Sequence, residues 1–197
     1  NIRNADYQNQ LSEKAKENGI WPSKKTNVTH LEIAAIFLTH CNEYFLNKKG
    51  SLAFVLPKSF LHADQHHAIR SGLAKNLKIS EIWDLEGVQP LFNVPSCVFF
   101  TQRTSKSNVK IPKAGRPGRT IKGRLKDNNL NLKEAHGSLK ISDTQFYYAK
   151  LGTASAITSN KIIPSQKLNH YRNLFIQGAT IVPRNLYFIE DTQNLGE

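Results

Sequence analysis

Five residues, Leu52-Ala53-Phe54-Val55-Leu56, form an unbroken apolar run that Pro57 stops. A strand with one wet face alternates apolar and polar residues. A run without alternation asks to be covered on both faces, which is how a central strand of a parallel sheet reads. The segment before it points the same way. Thr29 and Glu32 make a capping box, with Val28 and Ile33 spaced as a hydrophobic staple. Ala34, Phe37, Leu38, Cys41 and Phe45 then recur at helical spacing, which predicts a helix burying that stripe and ending at Gly50. A second helix is expected from about Ala63 to Asn76, with Ile69 and Leu73 inward. Strands are expected at Ile79–Leu85 and Cys97–Thr101. Helices alternating with strands give an α/β class.

The charge is unevenly spread. Residues 1–101 carry eleven basic and nine acidic side chains, whereas residues 102–197 carry sixteen basic and six acidic. Arg103 to Lys126 holds nine basic residues and no acidic one, among them Lys113, Arg116, Arg119, Lys122 and Arg124. A single-sign run of this length points to a polyanion, and the phosphate backbone of nucleic acid is the commonest. No amphipathic basic helix accompanies it, which argues against a membrane surface. Nor does any run of about 18 apolar residues occur, so no membrane-spanning helix is expected. Ala114-Gly115-Arg116-Pro117-Gly118-Arg119 is expected to be irregular, punctuated by Pro and Gly. Gly115-Arg116-Pro117 within it resembles the core of an AT-hook, although the leading Arg of that core is absent. Weak helical signals follow around Leu132 to Leu139, and Gly178 to Ile189 reads as β-like.

Sites for chemistry are few. His62, His66 and His67 cluster, yet no carboxylate or Cys completes a metal-ligand set, so no metal is expected. Cys97 lies in an apolar strand without a basic neighbour, a structural thiol rather than a nucleophile. The two cysteines, Cys41 and Cys97, suit a reducing cytosol. No Gly-rich phosphate loop, nucleophile elbow or pair of acid/base carboxylates is present, so no catalytic residue is assigned in this chain. Phe92, in Pro90-Leu91-Phe92-Asn93-Val94-Pro95-Ser96, stands between two expected strands. A loop aromatic there either folds onto the core or serves as a stacking platform for a base taken out of a duplex.

These pieces, in this order, resemble the N6-adenine DNA methyltransferases of bacterial restriction–modification systems, closest to the fused or large type II enzymes. The matching stretches are the helix Leu31–Leu46, then Gly50-Ser51-Leu52-Ala53-Phe54-Val55-Leu56-Pro57-Lys58-Ser59-Phe60, Arg70, Ile82-Trp83-Asp84-Leu85, and Pro90 to Phe100. Gly123-Arg124-Leu125 and Gln177 to Arg184 are similar to pieces at the entry to the target-recognition region. The resemblance implies a partial Rossmann-like methyltransferase sheet, its last three strands with covering helices, followed by a smaller, more β-rich segment. It makes the Phe54–Pro57 strand the fifth of that sheet, with the next two strands as its antiparallel edge. It also implies that Phe37 or Leu38 touches S-adenosylmethionine, that Phe92 packs on the flipped adenine, and that Lys58 and Ser59 face the active-site cleft. Lys113, Arg116, Arg119, Lys122 and Arg124 would then contact DNA.

The family's cofactor-binding and Pro-Pro-aromatic catalytic motifs are missing; both would precede Asn1. The chain also contains no Met, and the expectation is an excised piece, residues 1–104 of a catalytic domain's C-terminal half, 105–150 a basic connector, and 151–197 the start of a recognition domain. Its partners would be double-stranded DNA and the N-terminal half of the same polypeptide. S-adenosylmethionine would be the cofactor of the full-length enzyme, and the isolated chain would be inactive. The rival reading is a non-catalytic, basic nucleic-acid-binding module; an RNA-modifying enzyme shares the same core. Leu52–Leu56 is expected to keep an unpaired edge.

Overall fold

The computed structural model describes residues 5–21, 33–48, 50–106, 109–126, 130–151 and 154–161. These belong to a compact unit, Asn1–Ile162; a second unit, Ile163–Glu197, lies outside the described residues, as does the β-like stretch Gly178–Ile189. The elements in chain order are helices α1 (Ala5–Glu17) and α2 (Ile33–Tyr44), strand β1 (Ser51–Pro57), a short helix α3 (His67–Arg70), and strands β2 (Leu77–Gln89), β3 (Ser96–Arg103) and β4 (Arg116–Arg124). Helix α4 (Leu132–Ser138) and strands β5 (Leu139–Leu151) and β6 (Ala154–Thr158) follow. The protein is thus mixed α/β around one six-stranded sheet, ordered β1-β3-β2-β4-β5-β6.

The sheet is mixed. β3 runs antiparallel to both β1 and β2, β2 and β4 are parallel, and β4–β5 and β5–β6 are antiparallel. Hence β1, β2 and β4 point the same way and bring their carboxyl ends to one side. Of the two strands after β1, only β3 is antiparallel to it. Neither forms the edge: β1 does, because β4 extends the sheet beyond β2. Among the described residues β1 is therefore an edge strand with alternating exposure rather than a central one. Its outer edge has no partner among the described residues, as anticipated.

Leu56, Cys97, Phe99, Thr101, Leu77, Ile79 and Ile82 fill one face of the sheet and are nearly inaccessible. In the strand pairing Phe54 and Ile82 both stand beside Phe99, and Leu56 beside Cys97. Helix α2 covers this face through part of the expected stripe: Leu38 and Cys41 are buried as expected, but the buried face is turned from Phe37 and Phe45. Ala35, Leu38, Thr39 and Asn42 point inward, while Phe37 is 54% and Phe45 73% exposed. Polar partners turn the helix. Asn18 Nδ2 donates to Thr39 Oγ1 at 3.1 Å, and Asn42 Nδ2 donates to the Asn76 carbonyl at 3.0 Å. The helix also ends at Tyr44, ahead of Gly50. Its expected cap, Thr29 and Glu32, lies outside the described residues.

The expected helix 63–76 is reduced to short turns and α3. Gly72 adopts φ +78° and Asn76 φ +54°, left-handed positions that end helical geometry. Ile69 is buried as expected, whereas Leu73 is 51% exposed. The larger correction concerns Ala114 to Arg119. Arg116 onward is not irregular but forms β4, paired with β2 on one side and β5 on the other. The sheet therefore continues across the expected boundary near residues 103–106. Arg116-Pro117, with Gly115 just ahead, is the start of that strand, not a free minor-groove arm. Helix α4 falls where weak helical signals stand; Asn131 and Glu134 close its capping box. Among the described residues, no helix is long and apolar enough to cross a membrane.

Candidate functional site

In open α/β sheets, ligands collect at the carboxyl ends of the strands. Here those ends bring Lys58 and Ser59 (after β1), Asp84 and Glu86 (late β2), and Lys122 and Arg124 (late β4) to one side of the sheet. The loop 90–95, which joins β2 to β3, lies at the same end. It is tied down by backbone bonds: Lys58 N–H donates to the Pro95 carbonyl at 2.8 Å, and Leu125 N–H to the Gln89 carbonyl at 2.7 Å. Five of the residues singled out from the sequence (Lys58, Ser59, Phe92, Lys122 and Arg124) thus share one end of the fold.

Phe92 is 55% exposed, flanked by Leu91 and Val94, at 40% and 55%. It does not fold onto the core. A cavity of about 230 Å³ opens beside it, lined by Leu85, Val88, Leu91, Phe92, Val94 and Pro95, among others. Sites for whole drug-sized ligands or cofactors span about 300–1,000 Å³. This one is smaller than that range.

Lys58 is not a free cation. Its ammonium donates to Asp84 Oδ2 at 3.0 Å and to a Glu86 carboxylate oxygen, and Glu86 N–H donates to Asp84 Oδ1 at 3.0 Å. Partial burial pulls its pKa down, but the bonds to Glu86 and Asp84 outweigh that and raise it. The ammonium stays charged and is neutralised locally. Composition gives no hint of this trio; the signal is two acids spaced two apart near a strand end. Ser59 Oγ is buried without a hydrogen-bond partner among the described residues. Burial, and secondarily Asp84, pushes the Cys97 thiol up to about 12, so it is no nucleophile at neutral pH.

The cofactor pair separates. Leu38 lies wholly inside the core, while Phe37 is on the outside, edge-on to Phe54 with ring centres 5.5 Å apart. Of the two alternatives for a cofactor contact, Phe37 is accessible and Leu38 is not. The histidines also diverge. His66 is buried and stacked on Phe60 at 3.7 Å, and His67 Nδ1 lies 2.7 Å from Ser155 Oγ. Among the described residues no three potential metal ligands cluster.

Strand alternation sorts the basic run. Arg116, Lys122 and Arg124 fall on one face of β4, and Arg119 falls on the other. Arg119 lies over the Trp83 ring at 5.1 Å and pairs with Asp143 at 3.7 Å. Arg116 is half-buried near the far end of the strand; burial lowers its pKa, and its Nε has no partner among the described residues. Lys113 is exposed ahead of β4. Compared with known proteins, the chain matches no family model and no curated protein.

Proposed function

We propose that this chain is the C-terminal half of the catalytic domain of a bacterial N6-adenine DNA methyltransferase, cytoplasmic and part of a restriction–modification system, continuing into its recognition region. The Rossmann-like sheet would be completed by the N-terminal half of the same polypeptide. The observation that carries the reading is the convergence of an exposed Phe92, a small cavity beside it and Lys122 and Arg124 at the carboxyl ends of three co-directional strands. An antiparallel strand inserted between β1 and β2 supports it, as does the edge of β1 that has no partner among the described residues.

In this reading a target adenine leaves the duplex and stacks on Phe92, while basic residues hold the backbone. S-adenosylmethionine, when bound to the whole enzyme, supplies the methyl group. The groups that accept hydrogen bonds from the adenine N6 belong to the other half, so the chain alone transfers no methyl group. Lys58, held by Asp84 and Glu86, stiffens the cleft floor rather than gripping phosphate.

Fluorescence anisotropy with labelled duplexes, one perfect and one carrying an unpaired adenine, tests this across a salt series. Stronger binding of the unpaired adenine is expected. Phe92→Ala should remove that preference, costing about 1–3 kcal/mol, the worth of one base stacked on an aromatic ring. Salt-sensitive binding with no preference and no effect of Phe92→Ala would favour the non-catalytic module. No binding at low salt, or methyl transfer by the purified chain, would overturn the proposal.

A further inference from the structure

β4 and β5 pair residue for residue without a bulge, which sets Lys122 directly opposite Lys140. Residues directly opposite on antiparallel strands share a face, with Cβ atoms about 4.5–5.5 Å apart. Both lysines are exposed, and among the described residues no carboxylate pairs with either. Like charges in that arrangement weaken a sheet. Some other cations on or beside the sheet do have partners, Lys58 two carboxylates and Arg119 both Asp143 and the Trp83 ring. Gly87 of β2 gives the Lys122 stem its room, since a Cβ there would lie 2.5 Å from Lys122 Cγ. Arg124 stands on the same face two residues on.

We infer that Lys122 and Lys140 form a two-lysine clamp for adjoining phosphates of the DNA backbone, one lysine to each, with Arg124 beside it for the next. The inference rests on the DNA-binding reading above and goes beyond it. It brings in Lys140, which lies outside the Arg103–Lys126 run, and it leaves out Arg119, which lies inside. The duplex backbone is the occupant because the clamp sits at the same strand ends as Phe92. A base leaving the helix there keeps its own phosphates within reach of that face.

Each phosphate contact contributes about −0.9 to the slope of log affinity against log salt. Losing one therefore weakens binding about eightfold at 0.1 M salt and about threefold at 0.3 M. Anisotropy with the full chain and a labelled duplex reads this for Lys122→Gln, Lys140→Gln and Arg119→Gln. The first two should each flatten the slope by about one, and the third should leave it unchanged. Lys140→Glu separates binding from folding. It should weaken DNA binding further than Lys140→Gln yet melt no lower than the wild type, because it sets an opposite charge across from Lys122. Wild-type binding with an unaltered slope in Lys140→Gln overturns the clamp and leaves the DNA reading standing. No wild-type binding at low salt overturns both.

Discussion

Gly118 offers the sharpest test of how β4 is held in the sheet. A methyl group there would lie 2.0 Å from the Ile82 carbonyl oxygen and 2.6 Å from two ring carbons of the buried Phe146. Side-chain rotation cannot relieve a clash between a Cβ and a neighbouring backbone. β4 must therefore move away from β2 by about 1 Å to restore a normal contact. That shift stretches the ladder at Ile82↔Gly118, Trp83↔Arg119 and Asp84↔Thr120. Hydrogen bonds lengthened by that much are largely lost, at about 1 kcal/mol each. Overpacking of a tight core costs about 1–3 kcal/mol by itself. Gly118→Ala should accordingly destabilise by about 3 kcal/mol, which lowers the melting midpoint by about 6–12 °C for a chain of this size. Urea and thermal unfolding followed by circular dichroism measure it. Gly137→Ala is the internal control. It lies in α4, where an added methyl group would meet nothing within 4 Å, so it should raise stability by about 0.5–1 kcal/mol. A loss below about 1 kcal/mol for Gly118→Ala would refute the close β2–β4 approach.

Arg70 is 1% exposed and donates to the carbonyls of Phe60 (3.1 Å) and Ala63 (2.7 Å) and to Ser155 Oγ (3.1 Å). Arg70→Ala should cost about 3 kcal/mol or more, through stranded carbonyls plus a cavity; an unchanged urea midpoint would contradict it. Burial, helped by Arg70 and Lys150 and opposed by Asp64, lowers the His67 pKa below its ordinary 6.5. The folded state therefore prefers neutral His67. Its contribution is present above pH 6.5, declines as the pH falls through 6.5, and is gone below the folded-state pKa. Unfolding free energy measured from pH 7.5 to 5 should fall, and His67→Gln should flatten that profile; an identical profile in the variant rules the mechanism out.

What the sequence reveals depends on where each element's partners lie. β1, the middle of β2, and β3 are legible because Leu52–Leu56, Ile79–Leu85 and Cys97–Thr101 are dense in apolar residues. β4 is not, since its buried positions are only Gly118 and Ile121, and cations occupy much of the rest. β5 hides likewise: Phe146 is its one buried side chain among those described. Periodicity finds Leu38 and Cys41 on the buried face of α2 but misses its edges, because Thr39 and Asn42 are inward for the sake of Asn18 and Asn76, and such distant partners leave no trace in helical spacing. The end of the sheet carrying Phe92, Lys58 and Ser59 is recoverable from linear motifs. Lys140 is not, because only strand register brings it to Lys122.

The strand order also sets a timetable for assembly. β2 and β3 are neighbours joined by a short loop, and β4, β5 and β6 form a local meander, so each group can close without waiting for distant chain. β1 cannot. It is made before β2, yet its ladder partner is β3, and no residue from Ser51 to Pro57 can find its mate until Ser96–Arg103 has been synthesised. For that interval a seven-residue strand with five apolar residues at its centre has neither edge satisfied. On a growing chain it is a natural handle for a chaperone, and at high expression it is a seed for inclusion bodies. Slower translation between residues 57 and 96 should worsen this, and cooling, which weakens apolar association, should relieve it.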